Sequence, residues 1–315
     1  MNAVAETPLL SAHSHQHGWQ ASLALRVENR NGRSVLAQNL HKGPLRVQKA
    51  LYPEGDAVCQ ILMLHPPAGI AGGDQLRIDL DVGAGAHAQL TTPGAGKWYR
   101  SGPPACSAKQ PPEEAKKVSG RPNDFLERLG PLATQDISLN IAPGGMLEWL
   151  PQEVIVFDQA HAQSTTTITL AEGARAIGWD IICLGRSASG ESFDRGAFRQ
   201  RLRLQRPDAN PLWCETLHLT GSDAALQSGL ALNGNTVFGT LWLAGIAPDT
   251  ALLEALRGES IHGGTCGISA LPDVTIVRVL SNSAEAARQY FEAVWALARP
   301  HVLQRVAIKP RIWST

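Results

Sequence analysis

The 315-residue sequence carries no excess of either charge: Lys plus Arg and Asp plus Glu number 28 each, so the formal net charge is zero. A general binder of nucleic acid or anionic membrane would show a basic surplus, and that class is set aside. No apolar run is long enough to cross a bilayer, and the N-terminus lacks the basic-then-apolar order of a secretion signal. Cysteine is sparse. Its five positions, Cys59, Cys106, Cys183, Cys214 and Cys266, are odd in number and widely spaced. Without a CxxC pair there is neither a zinc ribbon nor a thioredoxin-like motif, and a reduced, cytoplasmic compartment fits best. Catalytic signatures are missing as well. There is no HExxH, and Ser187 and Ser189 lack the paired glycines of a nucleophile elbow. The stretch TTPGAGKW resembles a phosphate-binding loop only superficially, because Thr91 stands at the first glycine position and Trp98 follows the lysine. No internal repeat is visible.

Glycine, by contrast, is plentiful, and it concentrates in HPPAGIAGGDQLRIDLDVGAGAHAQLTTPGAGKWYRS, from His65 to Ser101. Apolar and polar residues alternate from Leu76 to Val82 and from Ala86 to Leu90, the pattern of strands joined by tight turns. Similar runs recur from Trp19 to Leu271: ASLALRVE, SVLAQNL, CQILML, DISLNI, VIVF, TTTITL, AIGWDIICL, QRLRLQ and ETLHLT. Gly- and Pro-containing turns at short intervals predict packed β-sheets rather than βαβ units. AIGWDIICL is apolar nearly throughout, which predicts a strand covered on both faces. TVFGTLWLAG and VTIVRVL read as further strands. Two helices are predicted in the C-terminal third. One spans Pro248 to Gly258, and the other begins at a Ser283 cap with Ala287, Tyr290, Phe291, Val294, Trp295 and Leu297 on one face. Pro300 is expected to kink or end the second. The expected organisation is a mobile polar tail over residues 1–18 and a single β-rich domain over 19–315. A Pro-, Lys- and Glu-rich loop is inserted at 102–134, with a short helix around Asp124 to Leu129.

Several blocks together resemble one family, the urease accessory proteins called UreD (UreH in some species). They are the glycine-rich block above, HKGPLRVQKALYPEG, LEWLPQEVIVFDQA, WDIICLGRSASGESFDRGAFRQRLRL, PLWCETLHL, SAEAARQYFEAVWALARPHVL and PRIWST, in the family's order over nearly the whole chain. The insertion and Gly96, where the family often has Ser, depart from the pattern. The resemblance implies a mostly β fold of stacked, helically wound sheets with a pair of helices. It implies a non-enzymatic maturation chaperone that binds UreF, which recruits the GTPase UreG, and that docks on urease apoprotein to insert nickel. The assembly would be a dimeric hetero-oligomer. GTP would enter only through UreG, nickel would be transient, and no cofactor would be tightly bound.

Three carboxylates stand out. Asp74 follows two glycines, Asp180 interrupts AIGWDIICL, and Glu215 lies in LWCETLHL. A carboxylate in so apolar a setting is costly to bury unless hydrogen-bonded, paired or hydrated. Two readings compete: salt bridges or outward positions, or the polar lining of a water-filled path for a metal ion. Oxygen donors hold nickel more loosely than thiolates, as a carrier requires, and the resemblance implicates these positions in such a path. It also assigns the C-terminus to UreF contact, which makes Arg311, Trp313 and Trp295 candidate partner-binding residues. The alternating His13, His15 and His17 would suit nickel or zinc but read as a polar tail that binds metal adventitiously. Cys59, Cys183 and Cys214 read as small core residues. Arg201 and Arg203 share a solvated strand face within the basic run Arg195 to Arg206. The rival functions are a scaffold that never touches nickel and a hydrolase built on His65 and Asp74.

Overall fold

The computed structural model describes residues 18–102 and 129–314. The three N-terminal histidines, Cys106, most of the 102–134 insertion and its expected short helix lie outside the described residues.

The alternating segments form two stacked sheets. The first holds, from edge to edge, β14 (Pro211–Thr220), β13 (Ala197–Gln205), β11 (His161–Leu170), β8 (Ala133–Ile141), β5 (Gln75–Val82), β1 (Gln20–Arg30) and β2 (Arg33–Lys42). The second runs from β16 (Gly264–Ala270) through β17 (Val274–Ser281), β15 (Val237–Ala244), β12 (Arg175–Leu184), β9 (Met146–Leu150), β6 (His87–Thr91) and β4 (Cys59–Leu64) to β3 (Arg46–Val47). Two short strands, β7 (Gly96–Trp98) and β10 (Val154–Val156), attach to it beside β12. Neighbours in the middle of each sheet are parallel although no helix connects them, because the chain passes from one sheet to the other and back.

That winding contains a repeat the sequence conceals. β5–β6, β8–β9 and β11–β12 are each joined by a turn of the same length, and pairing aligns Val82 with Ile141 and Leu170, then His87 with Met146 and Arg175. Each turn closes with a backbone bond from its fourth residue to its first: Ala86 to Gly83, Gly145 to Ala142, and Ala174 to Ala171. The third position is Gly85, Gly144 or Gly173, with φ of 63°, 66° and 68°. A positive φ there favours glycine. The expectation of no repeat is therefore corrected. The motif small–any–Gly–small is all the three turns share, and the strands around it vary freely.

The sheets enclose one core, with Leu80, Leu139 and Ile168 facing Leu90, Leu147 and Trp149. A second core lies between the other face of the second sheet and two helices, α1 (Thr250–Gly258) and α2 (Ala284–Leu303). β12 contributes Ala176, Ile182 and Leu184 to the first core and Ile177, Trp179 and Ile181 to the second, which explains its unbroken apolar run. Asp249 caps α1 by accepting from the Leu252 N–H at 2.7 Å, and Ser283 caps α2 by accepting from the Ala286 N–H at 3.2 Å. Pro300 does not end α2, which continues to Leu303 before Gln304 turns left-handed with φ 56°. It sits in the last turn, where buried Ala298, Val302 and Leu303 keep the helix on the sheet despite the missing N–H. Among the cysteines, Cys59 and Cys183 are buried as expected. Cys214 is exposed, because inward Trp213 and Glu215 put it on the outer face of edge strand β14.

Candidate functional site

The two sheets do not close completely. Between them lies a cavity of ≈ 340 Å³, walled by Ile78, Ile137 and Phe198 from the first sheet and Trp149 and Ile182 from the second. The turn from Thr92 to Lys97 and the His65–Ile70 loop frame one end, so the glycine-rich block forms its rim. The polar groups on the wall are Gln135, Gln152, Ser164, Gln200 and Asp180, with His65, Thr92 and Lys97 at the rim. A much smaller cavity of ≈ 10 Å³, about the room one water needs, continues from there between Asp180, Gln200, Glu215 and Thr240. The two share Asp180 and Gln200 as a common wall.

Asp180 and Glu215 are thus brought together from different sheets. Asp180 is half-buried and lines both cavities. Burial, reinforced by the nearby Glu215 charge, pushes its pKa up to about 6. The Trp149 indole N–H opposes this without closing to hydrogen-bond length. The Gln200 amide donates to Asp180 Oδ2 at a long 3.4 Å. Among the described residues, no cation pairs with Asp180. Glu215 differs: Arg278 Nη2 lies 3.0 Å from its Oε2.

Asp74 stands apart from this pair. Its Oδ1 accepts from the Trp19 N–H at 2.7 Å and its Oδ2 from the Ala71 N–H at 2.8 Å, so both oxygens hold the local turn. Burial lowers the pKa of neighbouring His65, and the Asp74 charge only partly offsets that. A carboxylate committed to two backbone donors makes a poor partner for acid–base catalysis with His65. Trp295 and Trp313 are both buried in this chain's own second core. The Trp313 N–H donates to Thr91 Oγ1 at 2.8 Å, and its ring lies 5.5 Å from Trp179 and 5.7 Å from Trp295. Arg311 is exposed.

Sequence reasoning missed the most elaborate polar cluster. Glu148, in the middle of β9, is wholly buried on the face beneath α2. Its Oε1 receives His87 Nε2 at 2.8 Å and Arg299 Nη2 at 3.0 Å, while its Oε2 receives Trp295 Nε1 at 2.7 Å and Arg299 Nε at 2.9 Å. Arg299 also reaches both Glu54 oxygens at 2.8 Å and donates to the Val306 carbonyl. Gln60 and Gln89 extend the chain of hydrogen bonds across β4 and β6. Burial alone would raise the Glu148 pKa; the His87 bond and the Arg299 charge outweigh it and hold the group at about 2. The cluster fastens α2 and the C-terminal strap to the second sheet. Its sequence signal was an arginine on the apolar face of α2, four residues after Trp295, with a lone glutamate inside LEWL. Among the described residues, no three His, Cys, Asp or Glu side chains meet as a closed metal site.

The family model for the UreD urease accessory protein matches residues 20–314. A urease accessory protein UreD from Dechloromonas aromatica is 47% identical over 312 residues, covering 97% of this chain and 98% of its own length. Its counterpart in an Azoarcus species is 42% identical and covers all of both chains. Another from Nitrosococcus oceani is 46% identical over 94% of this chain and 90% of its own. The chain belongs to the UreD family of urease accessory proteins.

Proposed function

We propose that this protein is a non-catalytic scaffold of urease maturation that docks on urease apoprotein with UreF and UreG and passes nickel along the space between its sheets. One observation carries the reading: two carboxylates, Asp180 and Glu215, line one small cavity, and among the described residues Asp180 has no cation of its own. Stability alone gives no reason to bury an unpaired carboxyl. The donor set suits cargo. Carboxylate, amide and hydroxyl oxygens from Asp180, Glu215, Gln200 and Thr240 suit a hydrated divalent ion and bind it less tightly than thiolates would. Asp74 contributes indirectly, by fixing the Ala71–Asp74 turn beside the His65 rim.

Asp180 and Gln200 line both cavities and are joined by one long hydrogen bond of 3.4 Å, which a side-chain shift can break. Filling the larger cavity tests the reading without touching a carboxylate. Ser164→Phe places an aromatic ring in that space. The variant should still be captured with UreF, UreG and urease while delivering little nickel. Normal delivery with the cavity filled would support the pure scaffold.

A further inference from the structure

Glu215, in the wall of the smaller cavity, is paired with a cation that belongs to the protein, Arg278. Register across the second sheet aligns Asp180 of β12 with Thr240 of β15, Thr240 with Arg278 of β17, and Arg278 with Gly267 of edge strand β16. These positions share the face that looks toward the first sheet. A polar row therefore runs from the buried carboxyl to the sheet edge. Glu215 meets it from the first sheet, and Gly267 adds no side chain beyond Arg278.

The Arg278 guanidinium lies 3.0 Å from Glu215 Oε2, yet no N–H is aligned for a hydrogen bond, since that oxygen is buried without a hydrogen-bond partner. The other end of the arginine is in water. Its side chain is 51% exposed against 30% for Glu215, and it rests over the Trp213 ring with 5.7 Å to the centroid. A structural ion pair of the kind made by Arg299 and Glu148 is fully enclosed and multiply bonded. The Arg278 pair is neither. With Arg278 half-exposed and making a single contact with Glu215, it can leave at less cost than Arg299 can leave Glu148.

Resting on the nickel-path reading above, we propose that Arg278 is a tethered plug: its guanidinium occupies Glu215 in the wall of the smaller cavity and competes with the divalent cation for that carboxylate. Two carboxylates match the charge of a divalent ion. With the guanidinium in place, one of the two is already neutralised and the ion finds only half the compensating charge. Withdrawal of Arg278 into solvent restores both. Occupancy of the Asp180–Glu215 pair is thus coupled to a swing of one side chain about the Trp213 face.

The experiment is calorimetric titration of nickel chloride into the purified full-length chain at low ionic strength, comparing wild type with Arg278→Gln, Arg278→Met, Arg278→Lys and the Arg278→Gln, Glu215→Gln pair. Thermal melts of each variant confirm folding. Arg278→Gln and Arg278→Met should bind nickel roughly tenfold more tightly, because a competing charge a few ångströms away has been removed. Arg278→Lys should stay near wild type, and adding Glu215→Gln should abolish the gain. Unchanged or weaker binding by both neutral variants overturns the plug. If Asp180→Asn and Glu215→Gln still weaken binding in that case, the path itself stands. If neither carboxylate variant alters nickel affinity, the path reading fails and the plug fails with it.

Discussion

Replacing Asp180 by asparagine should stabilise the protein at neutral pH, and the size of the effect follows from its surroundings. Asparagine keeps the shape and the contact with Gln200 but cannot ionise. In the folded chain the Asp180 pKa is raised from 3.8 to about 6. A difference of about two pKa units corresponds to about 3 kcal/mol of penalty once both states are ionised. The sign is fixed by proton uptake. Between pH 4 and 6 the folded protein holds a proton that the unfolded chain has released, so wild-type stability attributable to this group falls as pH rises through that window. Below pH 4 the carboxyl is neutral in both states and the variant gains nothing. Urea unfolding followed by tryptophan fluorescence should therefore show Asp180→Asn equal to wild type near pH 4 and about 1–3 kcal/mol more stable at pH 7.5. The upper end assumes no internal relaxation. A variant less stable than wild type at pH 7.5 would refute the reasoning, since only a carboxylate serving as a structural partner behaves that way.

Glu148→Gln should have the opposite sign, costing about 3–5 kcal/mol because Arg299 keeps only Glu54 as a charged partner. Wild type should lose this contribution as pH falls from the ordinary carboxylate range toward 2, which an acid titration of the urea midpoint detects. Trp313→Ala should destabilise by about 3 kcal/mol or more through loss of its indole packing and the Thr91 hydrogen bond. Because Trp313 is built into the second core, removing residues 310–315 should lower the melting temperature before any change in UreF affinity is measured. Excising residues 103–128 should leave fold and urease activation intact. Gly102 and Gly130 lie in direct proximity, so a short Gly-Ser link closes the gap, and a melt with an activation assay checks it.

Where the chain alternates or carries helical spacing, the sequence was easy to read: β1, β5, β8, β11 and α2 are legible because one face of each meets solvent. β9 was harder, since Met146–Leu150 is covered on both sides and period two is lost. Edge strand β16, made mostly of small residues, gives too weak a signal. The threefold winding escaped notice because only a turn glycine and two small neighbours are under common constraint. Asp180 and Glu215 announced themselves as charges in apolar runs, but 35 positions and two different sheets separate them, so their meeting belongs to topology. Asp74 gave the same signal for another reason, as a cap on a turn. Arg278 gave none: an arginine inside VTIVRVL reads as an ordinary solvent-facing strand residue.

The most direct test of the central claim is nickel per urease active site after co-expression with Asp180→Ala, Glu215→Ala and the double variant, measured beside complex assembly and a thermal melt. A nickel path predicts complexes that assemble like wild type and melt no lower, urease with low nickel from each single variant, and the least nickel from the double variant. Full nickel occupancy in all three would contradict it.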